Sequence, residues 1–423
     1  MMRNAVLTLF LMITFAPAAI AQTGKTPTIE QSLSLKSAAG PRISPDGRYV
    51  AYQVQETNWE ENAFENEIWI AVVATGERYQ LTNAKKSSSG PQWSPDSKRI
   101  AFTSDRDGKR QIYLIAPAGG EAAQLTNAET GVNSFSWSPD GRRIAFTGAE
   151  PESKARKERK EKYGEFEVVK GDYTLTQLWM IEAPADAKDK KAEPQRLTGG
   201  SEFTVGGFSW SPDSTRIAFS ATKDPDLGSS DTSDIYVLNV ADKGIRKVVD
   251  TRGPDSNPIW SPDGRQIAFQ TSNAREFFFY TNQYIAVVPS EGGTPALLTE
   301  TFDEEPSPLV WSPDGIYFSS QQKTYSHLFR LNPATKAIER VSSPAELIAS
   351  QFSFTRDFKQ AAFVAAGANN YPEVYTCAVK SFEPRRLTVM GDQLKDFRLA
   401  TREVIGWKST DGTPIEGILI KPA

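Results

Sequence analysis

Seven times along this chain a short apolar triplet stands between polar and turn-forming residues. The triplets are Val50-Ala-Tyr52, Ile100-Ala-Phe102, Ile144-Ala-Phe146, Ile217-Ala-Phe219, Ile267-Ala-Phe269, Ile316-Tyr-Phe318 and Ala361-Ala-Phe363. Each is too short for a helix and rich in β-branched or aromatic residues, so each predicts a short buried strand. A second pattern follows every triplet, a polar residue and then apolar ones: Glu67-Ile-Trp-Ile70, Gln111-Ile-Tyr-Leu114, Gln177-Leu-Trp-Met180, Asp234-Ile-Tyr-Val237, Gln283-Tyr-Ile-Ala286, His327-Leu-Phe-Arg330 and Glu373-Val-Tyr375. A third closes the unit: Leu81-Thr82, Leu125-Thr126, Leu197-Thr198, Val248-Val249, Leu298-Thr299, Val341-Ser342 and Leu387-Thr388. Asp107-Gly108, Gly119-Gly120 and Gly292-Gly293 mark turns between strands.

A turn precedes each triplet. Trp137-Ser-Pro-Asp-Gly141 recurs at Trp260 and Trp311, while Trp93-Ser-Pro-Asp-Ser97 and Trp210-Ser-Pro-Asp-Ser214 end on serine. The serines are Ser44, Ser94, Ser138, Ser211, Ser261 and Ser312, spaced 50, 44, 73, 50 and 51 apart, and a worn copy, Phe354-Thr-Arg-Asp357, follows 43 later. With the strand that carries the tryptophan, each unit has four strands. Repeats of this length and make-up predict an all-β fold, a seven-bladed β-propeller of four-stranded blades over residues 41–389. In the turn, serine bonds local backbone, proline presets φ, and glycine accepts the left-handed conformation, which Ser97 and Ser214 would adopt under strain. The tryptophan supplies apolar surface between blades. The turn is therefore architecture. Single carboxylates on separate blades do not make a calcium site, which needs six to eight oxygens.

The spacing of 73 holds an insertion beginning Pro151-Glu-Ser-Lys-Ala-Arg-Lys-Glu-Arg-Lys-Glu-Lys162, expected to be a solvated, partly helical excursion, with a flap over a ligand opening as the sharper alternative. Residues 183–194 read as a long polar hairpin loop. The one histidine, His327, sits where other units place Glu or Gln, so register explains it, and no G-x-S-x-G elbow exists for it to serve. The one cysteine, Cys377, reads as a small core residue and excludes an intrachain disulfide. Asp303-Glu304-Glu305 reads as a solvated loop, although an acidic pair is also able to hold a ligand's ammonium group. No catalytic, cofactor-binding or metal-binding residue is assigned.

Net charge of −4 gives no reason to expect a nucleic-acid or anionic-membrane partner. The N-terminus has Arg3, an apolar run from Ala5 to Phe15 and a small-x-small site at Ala19-Ile-Ala21, the pattern of a secretory signal peptide over residues 1–21. Export without disulfides fits a periplasmic or secreted protein. Residues 22–40 are then a lead-in, and 390–402 a linker. The last stretch, Glu403-Val-Ile-Gly-Trp-Lys-Ser-Thr-Asp-Gly-Thr-Pro-Ile-Glu-Gly-Ile-Leu-Ile-Lys-Pro422, predicts a hairpin turning at Asp411-Gly412. Such a hairpin needs a sheet to join. Residues 403–423 therefore read as the start of a further domain, cut short.

Signal peptide, repeated Trp-Ser-Pro-Asp-Gly turns and the hairpin at 407–422 together resemble a secreted member of the prolyl oligopeptidase (S9) family of serine peptidases. The repeats alone are shared with TolB-like propellers, so the hairpin is the more specific part. The resemblance implies a propeller that restricts entry to peptides, capping an α/β-hydrolase domain whose catalytic serine, aspartate and histidine lie beyond the hairpin. No triad residue transfers to this sequence, and no cofactor is implied. The expected function is the substrate-gating portion of an exported peptidase, inactive alone, with peptides as partners of the whole enzyme. The alternatives are a non-catalytic TolB-like periplasmic binding propeller and a propeller lyase or glycosidase.

Overall fold

A computed structural model describes residues 24–168, 170–184, 193–344 and 346–422. The expected signal peptide at 1–21 and most of the 183–194 loop lie outside the described residues. Among the described residues there are seven four-stranded antiparallel meanders in chain order, spanning 37–80, 88–124, 134–196, 204–249, 255–297, 307–340 and 348–386, here units 1 to 7. Units 6 and 7 are joined into one sheet by a single parallel bridge, Ser326 to Ile348. The apolar triplets form the second strands and carry the largest fully buried side chains, including Tyr52, Phe102, Phe146, Phe219, Phe269, Phe318 and Phe363.

The core is divided rather than central. Seven clusters of buried side chains are each shared by two neighbouring units. Ile235 of unit 4 packs with Trp260 and Phe269 of unit 5. The ring closes where Ile43, Val50 and Tyr52 of unit 1 meet Val364 and Val374 of unit 7. At this seam Ile43 donates its N–H to Ser353 Oγ at 3.0 Å and Gly40 to Gln351 Oε1 at 2.6 Å. A meander cannot bury both faces of its own sheet, so each unit depends on its neighbours, as repeat architectures do.

The antiparallel order sends successive loops to alternate ends of the strands. The Trp-Ser-Pro-Asp turns and the third-to-fourth-strand turns share one end, the turn face. The second-to-third-strand loops and the links between units share the other, the loop face. The charged insertion rises on the loop face as a helix, Lys154–Tyr163, capped by Ser153 Oγ accepting from Arg156 N at 3.2 Å. It has no buried residue, and its charges pair locally, Arg156 with Glu152 and Lys160 with Glu152 and Glu165. Tyr173, farther along the insertion, bonds Asp226 of unit 4.

Two strand readings differ from expectation. Only Val248-Val249 lies within its fourth strand, Ile245–Val249; the other six pairs follow theirs directly, as Leu81-Thr82 follows Arg78–Gln80. Leu81 N and Thr82 N both donate to Ile68 O, at 2.7 and 3.2 Å, so the chain leaves the ladder while still anchored to the third strand. In unit 5 the third strand is Tyr284–Pro289, one residue later than expected, because Tyr284 occupies the position that Gln111 and Gln177 hold elsewhere. Gln283 therefore lies outside the strand.

The C-terminal hairpin pairs Thr401–Lys408 with Pro414–Lys421. Gly412 takes φ 87° at the turn, and Asp411 Oδ1 accepts from Thr413 N at 3.0 Å. Its links to the units are polar: Lys323 to Glu416 at 2.7 Å, and Arg402 N to Asn369 Oδ1 at 2.8 Å. Both Lys323 and Asn369 belong to second-to-third-strand loops, so the hairpin rises from the loop face.

Candidate functional site

The turn face is built by repetition. In every unit the turn hydroxyl donates to the aspartate two residues on, as Ser94 Oγ does to Asp96 Oδ1 at 2.6 Å and Thr355 Oγ1 to Asp357 Oδ1 at 2.8 Å. In six units the same hydroxyl accepts from the N–H five residues on, as Ser94 does from Arg99 at 3.0 Å, while Ser312 accepts from Asp314 N at 3.3 Å. Burial pushes the Asp96 carboxyl up, but the Ser94 hydroxyl, the Lys98 N–H and the charges of Arg99 and Lys98 more than offset this and leave it below the usual carboxylate range. Each aspartate is thus occupied by its own turn, which supports the architectural reading of the motif.

The tryptophans join units as expected, and Trp93, Trp210 and Trp260 also donate hydrogen bonds that sequence reasoning missed, whereas the buried Trp137 Nε1 has no partner. Trp93 Nε1 donates to Arg42 O of unit 1 at 2.8 Å, and Trp260 Nε1 to Ser209 O of unit 4 at 3.1 Å. The Arg216 guanidinium of unit 4 lies 4.7 Å from the Trp260 ring centroid and donates to Gly264 O at 2.9 Å. Ser97 and Ser214 do take the left-handed conformation, both at φ 62°. Their hydroxyls accept from the N–H of Asp46 and Asp140 on the preceding turns, each at 3.1 Å. That bond offsets part of the strain a glycine would avoid.

At the loop end, the polar residue that opens the third strand is clasped by a hydroxyl just past the fourth. Thr126 Oγ1 donates to Gln111 Oε1 at 2.7 Å and accepts from Ile112 N at 2.9 Å; Thr198 treats Gln177 and Leu178 likewise. Thr82 clasps Glu67 and Thr388 clasps Glu373. In unit 6 the pair is His327 Nδ1 and Ser342 Oγ, 3.1 Å apart. His327 is buried, and burial with the Arg340 charge pushes its pKa down. It serves the clasp, in the register position read from its sequence pattern. Cys377 is also buried, its thiol pushed up to about 12 by burial.

The clasp is broken in two adjacent units. Unit 4 has Val249 in place of the threonine, and Asp234 pairs instead with Lys247 at 2.8 Å. Unit 5 has Tyr284 in place of the polar residue, leaving Gln283 free of the ladder. Between these units lies Asp255, fully buried where other inner strands begin with Ser88, Ser134 or Thr204. Thr251 Oγ1 donates to its Oδ2 at 2.7 Å, while Oδ1 has no partner. Burial pushes Asp255 up to about 7.

A cavity of about 620 Å³ opens on the loop face at the same two units. Leu227, Phe278 and Phe279 form an apolar wall, and Ser230, Thr281, Gln283 and Glu305 supply polar atoms. Of the acidic run 303–305, Glu305 alone reaches the cavity; its Oε1 accepts from Gln270 Nε2 at 3.3 Å. The sequence carried a signal for this place that went unread, the Val249 exception in the Leu-Thr pattern. The aromatic run Phe277-Phe-Phe-Tyr280 was a second such signal.

Beside the charged insertion, the loop face gathers exposed apolar side chains. Nineteen large hydrophobic side chains are exposed among the described residues, and eighteen lie on the loop face or in the hairpin rising from it; Ile245 is the exception. They include Trp59, Leu227, Phe279, Tyr280 and Trp407.

A family profile described as "PD40: TolB beta propeller domain" matches residues 25–153. Dipeptidyl-peptidase 5 of Porphyromonas gingivalis is 28% identical over 350 residues, 77% of this chain and 51% of that protein. An uncharacterized peptidase of Bacillus subtilis, YuxL, is 36% identical over 90 residues, 21% of this chain and 14% of that protein. Among solved structures, Pyrococcus horikoshii acylaminoacyl peptidase superposes with a TM-score of 0.71 at 19% identity, over 93% of this chain and 59% of that one. The β-propeller domain of the Trilobed protease from Pyrococcus furiosus superposes with a TM-score of 0.61 at 16% identity, over 85% of this chain and 98% of that one. The chain spans about half the length of the curated relative it matches most fully. The chain is thus all-β, matches a PD40 propeller domain over residues 25–153, and is similar to peptidases of the prolyl oligopeptidase (S9) family over their propeller portion.

Proposed function

We propose that this chain is the propeller portion, seven-bladed over about 41–389, of an exported S9-type serine peptidase, and that its loop face meets the hydrolase domain. One observation carries the reading: of nineteen exposed large hydrophobics among the described residues, twelve lie on that face and six more in the hairpin rising from it. An apolar surface of this kind marks an interface. The hairpin supports the same reading, since Val404, Trp407, Ile418 and Ile420 are exposed on two strands that have no sheet to join among the described residues. A two-stranded hairpin gains stability by joining a larger sheet. In this reading 403–423 opens the hydrolase domain, 390–402 is the linker, and 1–21 is removed on export.

The proposed reaction of the whole enzyme is acyl transfer from a peptide to serine and then to water, the propeller limiting which peptides enter. The chain by itself is inactive in this reading. Its one histidine is buried in the clasp with Ser342 and is not placed to activate a nucleophile.

The test is the native protein in its cell-envelope fraction, detected with an antibody against the propeller. The expected species is heavier than the 46.7 kDa chain by a domain of about 200 residues or more, and a serine-directed fluorophosphonate labels it. A native species near 46.7 kDa that resists the probe would overturn the peptidase reading in favour of a TolB-like binding propeller.

A further inference from the structure

Five units keep the clasp between the third strand and the residues after the fourth, and the two that lose it flank the 620 Å³ cavity. A repeat that breaks its own rule at one place, with a cavity there, is the pattern expected of a functional site. The break has local consequences. Gln283 is released from the strand to line the cavity, and the loops of units 4 and 5 carry Leu227 and Phe279 into solvent at 91% and 73% exposure. The Glu305 carboxylate lines the same cavity; its side chain meets the neutral Gln270 amide and forms no ion pair among the described residues.

We propose that this cavity binds a lysine or arginine side chain of a peptide. The proposal rests on the peptide-handling reading above and names the side chain admitted. The apolar and acidic groups that line the cavity match the stem and the head of such a side chain. Its methylene stem lies on Leu227 and Phe279, as basic side chains lay their stems on apolar surface. Its cationic head meets Glu305 in a charge-assisted hydrogen bond, with the phenylalanine rings favouring a cation beside them. A wholly apolar side chain would cover the Glu305 carboxylate without giving it a donor. An acidic one would meet it with like charge.

The test uses the 423-residue chain and three peptides blocked at both ends, acetyl-Gly-Lys-Gly-amide and its norleucine and glutamate counterparts, titrated by ligand-observed NMR. The lysine peptide is expected to bind about tenfold more tightly than the norleucine peptide, the size of one charge-assisted bond. Glu305→Gln is expected to remove that preference. Phe279→Ser, a change at an exposed side chain, is expected to weaken both peptides. Equal binding of lysine and norleucine, a preference that survives Glu305→Gln, a requirement for a free amino terminus, or no binding at all would overturn the proposal. Should the lysine peptide bind while the native protein carries no hydrolase domain, the site stands and the peptidase reading falls. The reverse results leave the peptidase reading without this site.

Discussion

On the turn face, seven aspartates accept from the hydroxyl two residues before them, and all seven are held below the usual carboxylate range. On the loop face, Asp255 is fully buried with one unpartnered oxygen and is pushed up to about 7. The tryptophans at the turn face are buried between units, whereas aromatic side chains of the loop face stand in solvent, Tyr280 at 88% exposure. The same four-stranded unit builds both ends. The difference lies in what its loops have to do. Turn-face loops satisfy their own polar groups and grip the neighbouring unit, so repetition serves them. Loop-face loops vary in length and composition, and their apolar groups are left for something else to cover.

The contrast predicts unequal responses to substitution. Trp260→Ala removes a buried indole, its bond to Ser209 and its contact with Arg216, and should cost about 3–5 kcal/mol. Thermal or chemical denaturation would measure the loss; a cost below about 1 kcal/mol would mean that the turn face is not the main inter-unit grip.

Asp255 sharpens the comparison through pH. Its folded pKa of about 7 lies above the unfolded value of about 3.9. Between these values the folded state holds a proton that the unfolded state has lost, so stability falls as pH rises from about 4 to 7. The loss reaches no more than about 4 kcal/mol. Asp255→Asn should flatten this dependence and leave the variant more stable than the parent at pH 8. Denaturant midpoints across that range decide it, and an unchanged slope would place the Asp255 carboxyl in contact with water.

A smaller effect is expected at the clasp. Thr126→Val reproduces in unit 2 the break found in unit 4; Gln111 Oε1 keeps the Ala128 N–H at 2.9 Å but Ile112 N loses its acceptor, which should cost about 1–3 kcal/mol. Valine at position 249 already occupies the equivalent place, so Val249→Thr should not repair unit 4 while Lys247 holds Asp234. Denaturant titration of each variant separates the two cases.

The smallest effect belongs to the loop face. Leu227→Ser and Phe279→Ser alter side chains that are mostly exposed, so each should change stability by less than about 0.5 kcal/mol. Both should lower binding of an apolar dye such as ANS. A large loss of stability at either position would show that the loop face carries packing of its own.

The repeat was legible in the chain because a propeller strand needs only its local pattern. The triplets, the turns and the Ser97 and Ser214 exceptions each announce themselves within five residues. The helix at 154–163 was legible from its charge and its lack of apolar residues. The third strand of unit 5 was misplaced by one residue because Gln283 resembles the polar residue of other units, and only pairing with Thr299 shows that Tyr284 has taken its place.

By itself the sequence determined the all-β class, the four-stranded unit, the order of the turns, the register position of His327 and the core place of Cys377, because these follow from patterns within one unit. Tertiary structure decided what lies between units: the seven shared clusters, the tryptophan bonds to the preceding unit, the seam of units 7 and 1, and the cavity that collects Leu227 of unit 4, Phe279 of unit 5 and Glu305 from the link before unit 6. Those residues lie up to 78 positions apart, from 227 to 305. No local pattern records a contact made only when neighbouring sheets pack, since the core is formed between the units and not within them.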